Sequence, residues 1–162
     1  MREFGDYSLN TLAQNGKANY LSYINGGQIE YFPLRQSGYK IVICKVSDGN
    51  GIKSDLQSGR IDIACDALRA EDYGEFGRLL TAETAEIIKK YKLGKVENLF
   101  RVIAKMEESV GCGLVDSGGI FSLVENKNVD FFVENVSREY CRYFGASPKF
   151  YITDTETSGK IY

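Results

Sequence analysis

The chain has 162 residues, with 20 Lys plus Arg against 22 Asp plus Glu, a net charge of −2 and 43% hydrophobic residues. That length supports one domain whose core buries about 70% of the unfolded chain's surface, and the ordinary composition excludes a disordered polypeptide. Charges of both signs are interspersed and no basic block offers a footprint for counterion release, so nucleic-acid binding is not expected.

The chain contains no histidine, and its four cysteines, at 44, 65, 112 and 141, form no Cys-x-x-Cys pair. Mixed Cys/His zinc sites and His-dependent nucleophilic triads are therefore excluded, and no metal site is expected. Cys44 and Cys65 fall on apolar faces and read as buried free thiols. No signal peptide and no apolar run of about 18 residues is present, so the expectation is no membrane segment and a reducing, cytoplasmic setting. Lys89, Lys90, Lys92 and Lys95 sit where a helix is expected to end, and cations there suit the negative end of its dipole.

Residues Ala18 to Ile24 and Ile29 to Pro33 read as strands joined through Asn25-Gly26-Gly27, residues that accept positive φ. Tyr39 to Lys45 is dense in β-branched residues and reads as a central strand. The apolar period then changes from two to about 3.6. One helix is expected from Asp55 or Ser58 to Ala70, with Ile61, Ala64, Cys65 and Leu68 on one face. A second follows Asp72, with Glu75 completing a capping box and Gly94 ending it. A third is expected over Val96 to Ser109, with Leu99, Phe100, Ile103 and Met106 inward. A Gly-rich stretch, Gly111 to Gly119, leads into a buried strand over Ile120 to Val124. A fourth helix carries Val129, Phe132, Val133, Val136, Tyr140 and Phe144, and Lys149 to Thr153 is the last strand. The order β-β-β-α-α-α-β-α-β predicts a two-layer α+β domain, an antiparallel sheet with helices packed on one face. Tyr20, Tyr23, Tyr31 and Tyr39 cluster on the first three strands, where they suit either cross-strand pairing or stacking on a sugar or base.

Several segments, in order, resemble the second half of a galactokinase, a member of the GHMP small-molecule kinase superfamily. Pro33-Leu34 followed by Gly38-Tyr-Lys-Ile-Val-Ile-Cys44 is similar to a family strand. Ala67-Leu-Arg-Ala-Glu-Asp-Tyr-Gly-Glu-Phe-Gly-Arg-Leu-Leu80 resembles the family's paired-helix pattern and is the most specific match. Gly145-Ala-Ser-Pro-Lys-Phe-Tyr-Ile-Thr153 resembles its closing strand. The resemblance covers most of residues 16 to 162, except for a longer helical segment that galactokinases carry between the positions of Cys44 and Ile61. It implies the fold of the GHMP kinase C-terminal domain over residues 18–162, with residues 1–17 a remnant or N-terminal extension.

The resemblance also implies a site. The family's third motif falls on Gly111-Cys-Gly-Leu-Val-Asp-Ser-Gly-Gly119, so the nucleotide or phosphate loop would comprise Gly111, Gly113, Asp116, Ser117, Gly118 and Gly119. Glycines there let backbone approach a phosphate or a helix closely, and a tight structural turn is the alternative reading. Asp116 stands where the family prefers glycine, and a carboxylate 4 Å from a phosphate charge opposes it by about 1 kcal/mol in water and about 4 kcal/mol at an effective dielectric of 20. Asp6 is the nearest counterpart of the family's catalytic base; a terminal, exposed carboxylate is the alternative. ATP and Mg²⁺ are the cofactors implied if the chain is active.

The family's sugar-holding Arg-x-Asn-Leu-x-Gly-Glu-His motif and its Gly-Leu-Ser-Ser-Ser loop do not occur in this sequence. Phosphoryl transfer is mainly positioning and charge stabilisation, so the expectation is a truncated galactokinase-like protein that is not a competent sugar kinase alone. A regulator, a binder of galactose or a related sugar, and a remnant all fit that expectation. The alternatives are one half of a split ATP-dependent galactokinase, completed by a separately encoded N-terminal half, and an unrelated α+β binding or oligomerisation module in which the edge of the N-terminal hairpin pairs with a second copy.

Overall fold

A computed structural model describes residues 17–22, 28–33, 38–46, 60–115 and 118–153. Before residue 38, and through residue 62 of the first helix, it describes backbone alone. Strands β1 (Lys17–Ser22) and β2 (Gln28–Pro33) pair antiparallel. Their register sets Tyr20 opposite Glu30 and Tyr31 opposite Asn19, so these tyrosines are not direct cross-strand partners. The Asn25-Gly26-Gly27 turn lies outside the described residues.

Four further strands form the main antiparallel sheet: β3 (Tyr39–Lys45), β4 (Ser109–Val115), β5 (Gly119–Glu125) and β6 (Lys149–Thr153), in the order β4-β5-β3-β6. Between β3 and β4 come α1 (Arg60–Arg69), α2 (Tyr73–Tyr91) and α3 (Lys95–Ile103), and between β5 and β6 comes α4 (Val129–Phe144). The chain is α+β, with the expected antiparallel sheet and helices packed against it. β3 is central, and β6 begins and ends where its period-two pattern places it.

Two expectations are corrected. The third helix stops at Ile103 instead of Ser109, and reverse turns carry residues 104–108, beginning with the Ala104 N–H donating to Phe100 O at 2.8 Å. The first half of the Gly-rich stretch is then a strand, β4, which pairs with β5 from Val115↔Gly119 back to Ser109↔Val124, with an irregularity between Ser109 and Gly111. Two glycines in seven residues argue against a strand on propensity, but here tertiary packing decides.

The caps are also partly as read. The Asp72 carboxylate accepts from the Glu75 N–H at 3.0 Å, but Glu75 turns to Arg78 and does not close the reciprocal half of the box. Helix α2 ends before Gly94, with Lys92 at φ 49° and its N–H on Ile88 O at 3.2 Å. Gly94, at φ 57° and ψ −118°, opens α3 from a conformation that side chains rarely adopt.

The core lies between one sheet face and the helices. Val42 and Cys44 of β3, Cys112 of β4, and Ile120 and Val124 of β5 meet Ile88 of α2, Leu99 and Ile103 of α3, and Phe132, Val136 and Tyr140 of α4. Leu99, Ile103, Phe132 and Val136 are fully buried, as their helical spacing requires. Met106 packs against this core from the turn after α3.

Candidate functional site

The β4–β5 hairpin contains every described residue of the expected phosphate loop. Gly111 and Gly113 lie in β4 and Gly119 starts β5. Gly118 sits in the turn at φ 86°, its N–H donating to Val115 O at 3.0 Å. Asp116, Ser117 and the expected base Asp6 lie outside the described residues.

Each strand glycine meets another part of the chain. A Cβ on Gly111 would fall 2.2 Å from the Cα of Gly77, and one on Gly77 would fall 2.2 Å from Val110 O, so α2 and β4 touch backbone to backbone. A Cβ on Gly113 would enter the Phe121 ring at 2.5 Å, and one on Gly119 would meet Cys44 O at 2.5 Å. Of the close approaches open to this motif, the one made here is to a helix and to neighbouring strands.

Two threonines of α2, which sequence reasoning missed, complete that junction. Thr81 Oγ1 accepts from the Cys112 N–H at 3.0 Å and donates to Gly77 O at 2.9 Å. Thr84 Oγ1 lies within donating distance of Leu80 O at 2.9 Å and Cys112 O at 3.2 Å. The main-chain N–H and C=O that Cys112 turns away from β5 are thus met by side chains of a helix along the strand's outer edge. Their i, i+3 spacing, beside Gly77 at i−4 from Thr81, was the available signal.

Burial pushes the Cys112 thiol up from an ordinary 9.0 to about 11, with a smaller opposing effect from the Thr81 hydroxyl. Burial, and Cys112 nearby, push Cys44 up as well. Both stay protonated and inert at neutral pH. None of the four cysteines is in a disulfide, and Cys44, Cys65 and Cys112 are buried. Tyr39 packs on Tyr73 at a ring-centroid distance of 5.2 Å, so it meets a helix aromatic. Among the described residues no group of three or more Cys, Asp or Glu stands close enough to hold a metal ion, and no helix is long and apolar enough to cross a membrane.

Two grooves flank α4. One lies against α3, between Arg101, Lys105 and Met106 on one side and Glu139, Tyr143 and Phe144 on the other. The second lies between α4 and β6, where Val133, Glu134, Ser137 and Arg138 face Ser147 and Ile152.

No protein-family model matches the chain. Over 111 residues it is 31% identical to a galactokinase of Fusobacterium nucleatum subsp. nucleatum, a match that spans 65% of this chain and 28% of that protein. Its fold is similar to that of a crystal structure of Lactococcus lactis galactokinase complexed with galactose, with a TM-score of 0.73 at 19% identity, over 92% of this chain and 53% of that one. The chain therefore spans about a quarter of the curated relative and about half of the solved structure, and it is galactokinase-like over a part of that enzyme's length.

Proposed function

We propose that residues 18–162 are the helix-on-sheet domain of a galactokinase-like protein and that they do not transfer phosphate to a sugar by themselves; a regulatory or sugar-binding role, or that of a remnant, follows. The observation that carries this reading is the packing of the hairpin glycines. Gly111, Gly113 and Gly119 each face a helix or a neighbouring strand at a distance that leaves no room for a methyl group, and so none for a phosphate oxygen on that side. The Gly118 N–H, a donor that a phosphate would need, is already on Val115 O.

Among the described residues no group of three or more Cys, Asp or Glu stands ready for Mg²⁺, and the one described turn N–H of the hairpin, that of Gly118, is already bonded. The relative and the solved neighbour are galactokinases, the latter with galactose bound, and this supports galactose or a related sugar as the ligand to test. A cytosolic setting goes with this reading, since none of the four cysteines is in a disulfide. The split-enzyme alternative calls for an apolar seam along the hairpin. The large exposed apolar side chains among the described residues are Ile63, Tyr91, Phe131, Tyr143, Phe144 and Ile152, and none belongs to it.

The test is a coupled kinase assay of the purified 162-residue chain with galactose and ATP–Mg²⁺, beside separate titration calorimetry with each. No turnover above the protein-free blank is expected. Heat from galactose alone identifies a sugar binder, and heat from neither ligand identifies the remnant. Turnover by the chain alone overturns the proposal.

A further inference from the structure

The two outer edges of the main sheet differ. Helix α2 lies along β4 and takes up the outward groups of Cys112, whereas β6 has β3 on one side and, among the described residues, no strand or helix bonded to its other edge. Open edges invite another strand. Beside this edge runs the groove between α4 and β6, and Ile152 stands in it 46% exposed. Ile152 is the direct cross-strand partner of Val42, which is fully buried, so the apolar layer under the helices continues past β3 and reaches solvent at β6.

The face of α4 that lines the groove carries its charge in a sequence of its own. Asp130 and Glu134 come first, Ser137 stands in the middle, and Arg138 follows. Among the described residues Asp130 and Glu134 form no ion pair, and Arg138 donates to Asn135 Oδ1 at 2.6 Å with the Glu139 carboxylate 3.9 Å away. Ser137 donates to the Ser147 hydroxyl at 3.1 Å, which ties the middle of the stripe to the segment that leads into β6. A stripe reading acid, acid, neutral, base is complementary to itself when a second copy lies antiparallel. A two-fold axis near Ser137 sets Glu134 of each copy against Arg138 of the other.

We propose that β6 and α4 form a self-complementary interface through which two copies of this chain associate: β6 pairs antiparallel with its own copy into a continuous eight-stranded sheet, Ile152 is covered, and Glu134 meets Arg138 across the axis. The occupant is a second copy and not an unrelated strand, because Glu134 and Arg138, one helical turn apart, are met reciprocally by the same pair on an antiparallel copy. The proposal does not depend on whether the chain binds sugar or nucleotide.

The test is sedimentation equilibrium of the 162-residue chain and of two charge reversals, Glu134→Arg and Arg138→Glu. Both positions are on the solvent side of α4, and circular dichroism checks that each variant keeps its helix content. The native chain shows concentration-dependent dimers, and each reversal weakens them at least about 10-fold by placing like charges at both symmetry-related contacts. Mixed in equal amounts, the two variants re-form a dimer, since every contact in the mixed pair again joins opposite signs. If a reversal disturbs folding, Ser137→Glu, which puts like charges near the axis, serves in its place and weakens the dimer in the same sense. A native chain that stays monomeric over the whole concentration range overturns the proposal. So does a dimer indifferent to the substitutions, or a mixture in which the two variants stay apart.

Discussion

The outer edges of the main sheet solve one problem in two ways. At β4 an edge strand with two glycines is closed by a helix that touches it backbone to backbone, and two threonine hydroxyls replace the missing neighbouring strand for Cys112. At β6 the edge is left to the side chains around it: a groove, a half-exposed isoleucine and a helix face bearing both signs of charge. Glycine and threonine in a helix are poor choices by propensity alone. Their presence in α2, and their absence from the groove-lining face of α4, shows where sequence was used to close an edge and where it was not.

The largest effect is expected where the closed edge is tightest. Gly77→Ala sets two principles in opposition. Helix propensity favours alanine by about 1 kcal/mol, while the new methyl group would sit 2.2 Å from Val110 O, in contact with backbone that has no rotamer to escape into. Packing wins by this account: urea unfolding followed by circular dichroism will show a loss of more than about 3 kcal/mol, or no cooperative transition at all. A neutral or stabilising result would mean that α2 and β4 are not in backbone contact.

A smaller loss is expected from the threonines. Thr81→Val keeps the shape and strands the buried Cys112 N–H, whereas Thr84→Val strands the Cys112 C=O, an acceptor more readily left under-satisfied. Each should cost about 1 to 3 kcal/mol in the same unfolding experiment, with Thr81→Val the larger. Because both act on the main chain of one residue, the double variant should lose less than the sum. Equal, additive losses below about 0.5 kcal/mol would place the hydroxyls at the surface instead of on the strand edge.

The same contrast separates what was legible in the sequence from what was not. The apolar periods of α3 and α4 and the β-branched run of β3 are dictated by burial on one face, and they gave the α+β layers and the helix-on-sheet core. β4 was not legible, because Ser-Val-Gly-Cys-Gly-Leu-Val has the composition of a loop and becomes a strand only through a helix that comes from thirty residues earlier. The glycines of the candidate site were found for the right geometric reason, close approach, but a sequence cannot say what approaches. Gly77 and Gly111 carry the same signal that a phosphate loop would. Asp72 was legible as a cap because capping is local; its partner Glu75 was drawn instead to Arg78, an equally local competitor three residues on. The charge order of α4 was in plain view, yet it acquires meaning only beside an open β6 edge, which is a property of topology.

The smallest effect is expected at that open edge, and it is the sharpest test of the difference between the two. Val42 and Ile152 are cross-strand partners on the same sheet face, one 0% and the other 46% exposed. Replacing each with threonine keeps a β-branched side chain and puts one hydroxyl in place of a methyl group at Val42 and of an ethyl group at Ile152. At Val42 that hydroxyl enters the sealed core, where an unpaired polar group costs about 1 to 3 kcal/mol. At Ile152 it can reach water and the ethyl group lost is only about half buried, so unfolding of the dilute chain should change by less than about 1 kcal/mol. A loss at Ile152 comparable to that at Val42, in dilute solution, would mean that the groove is already closed within one chain, leaving β6 no more available than β4. A loss confined to Val42 would show that the apolar layer runs out at β6 with its last side chain still open to a partner.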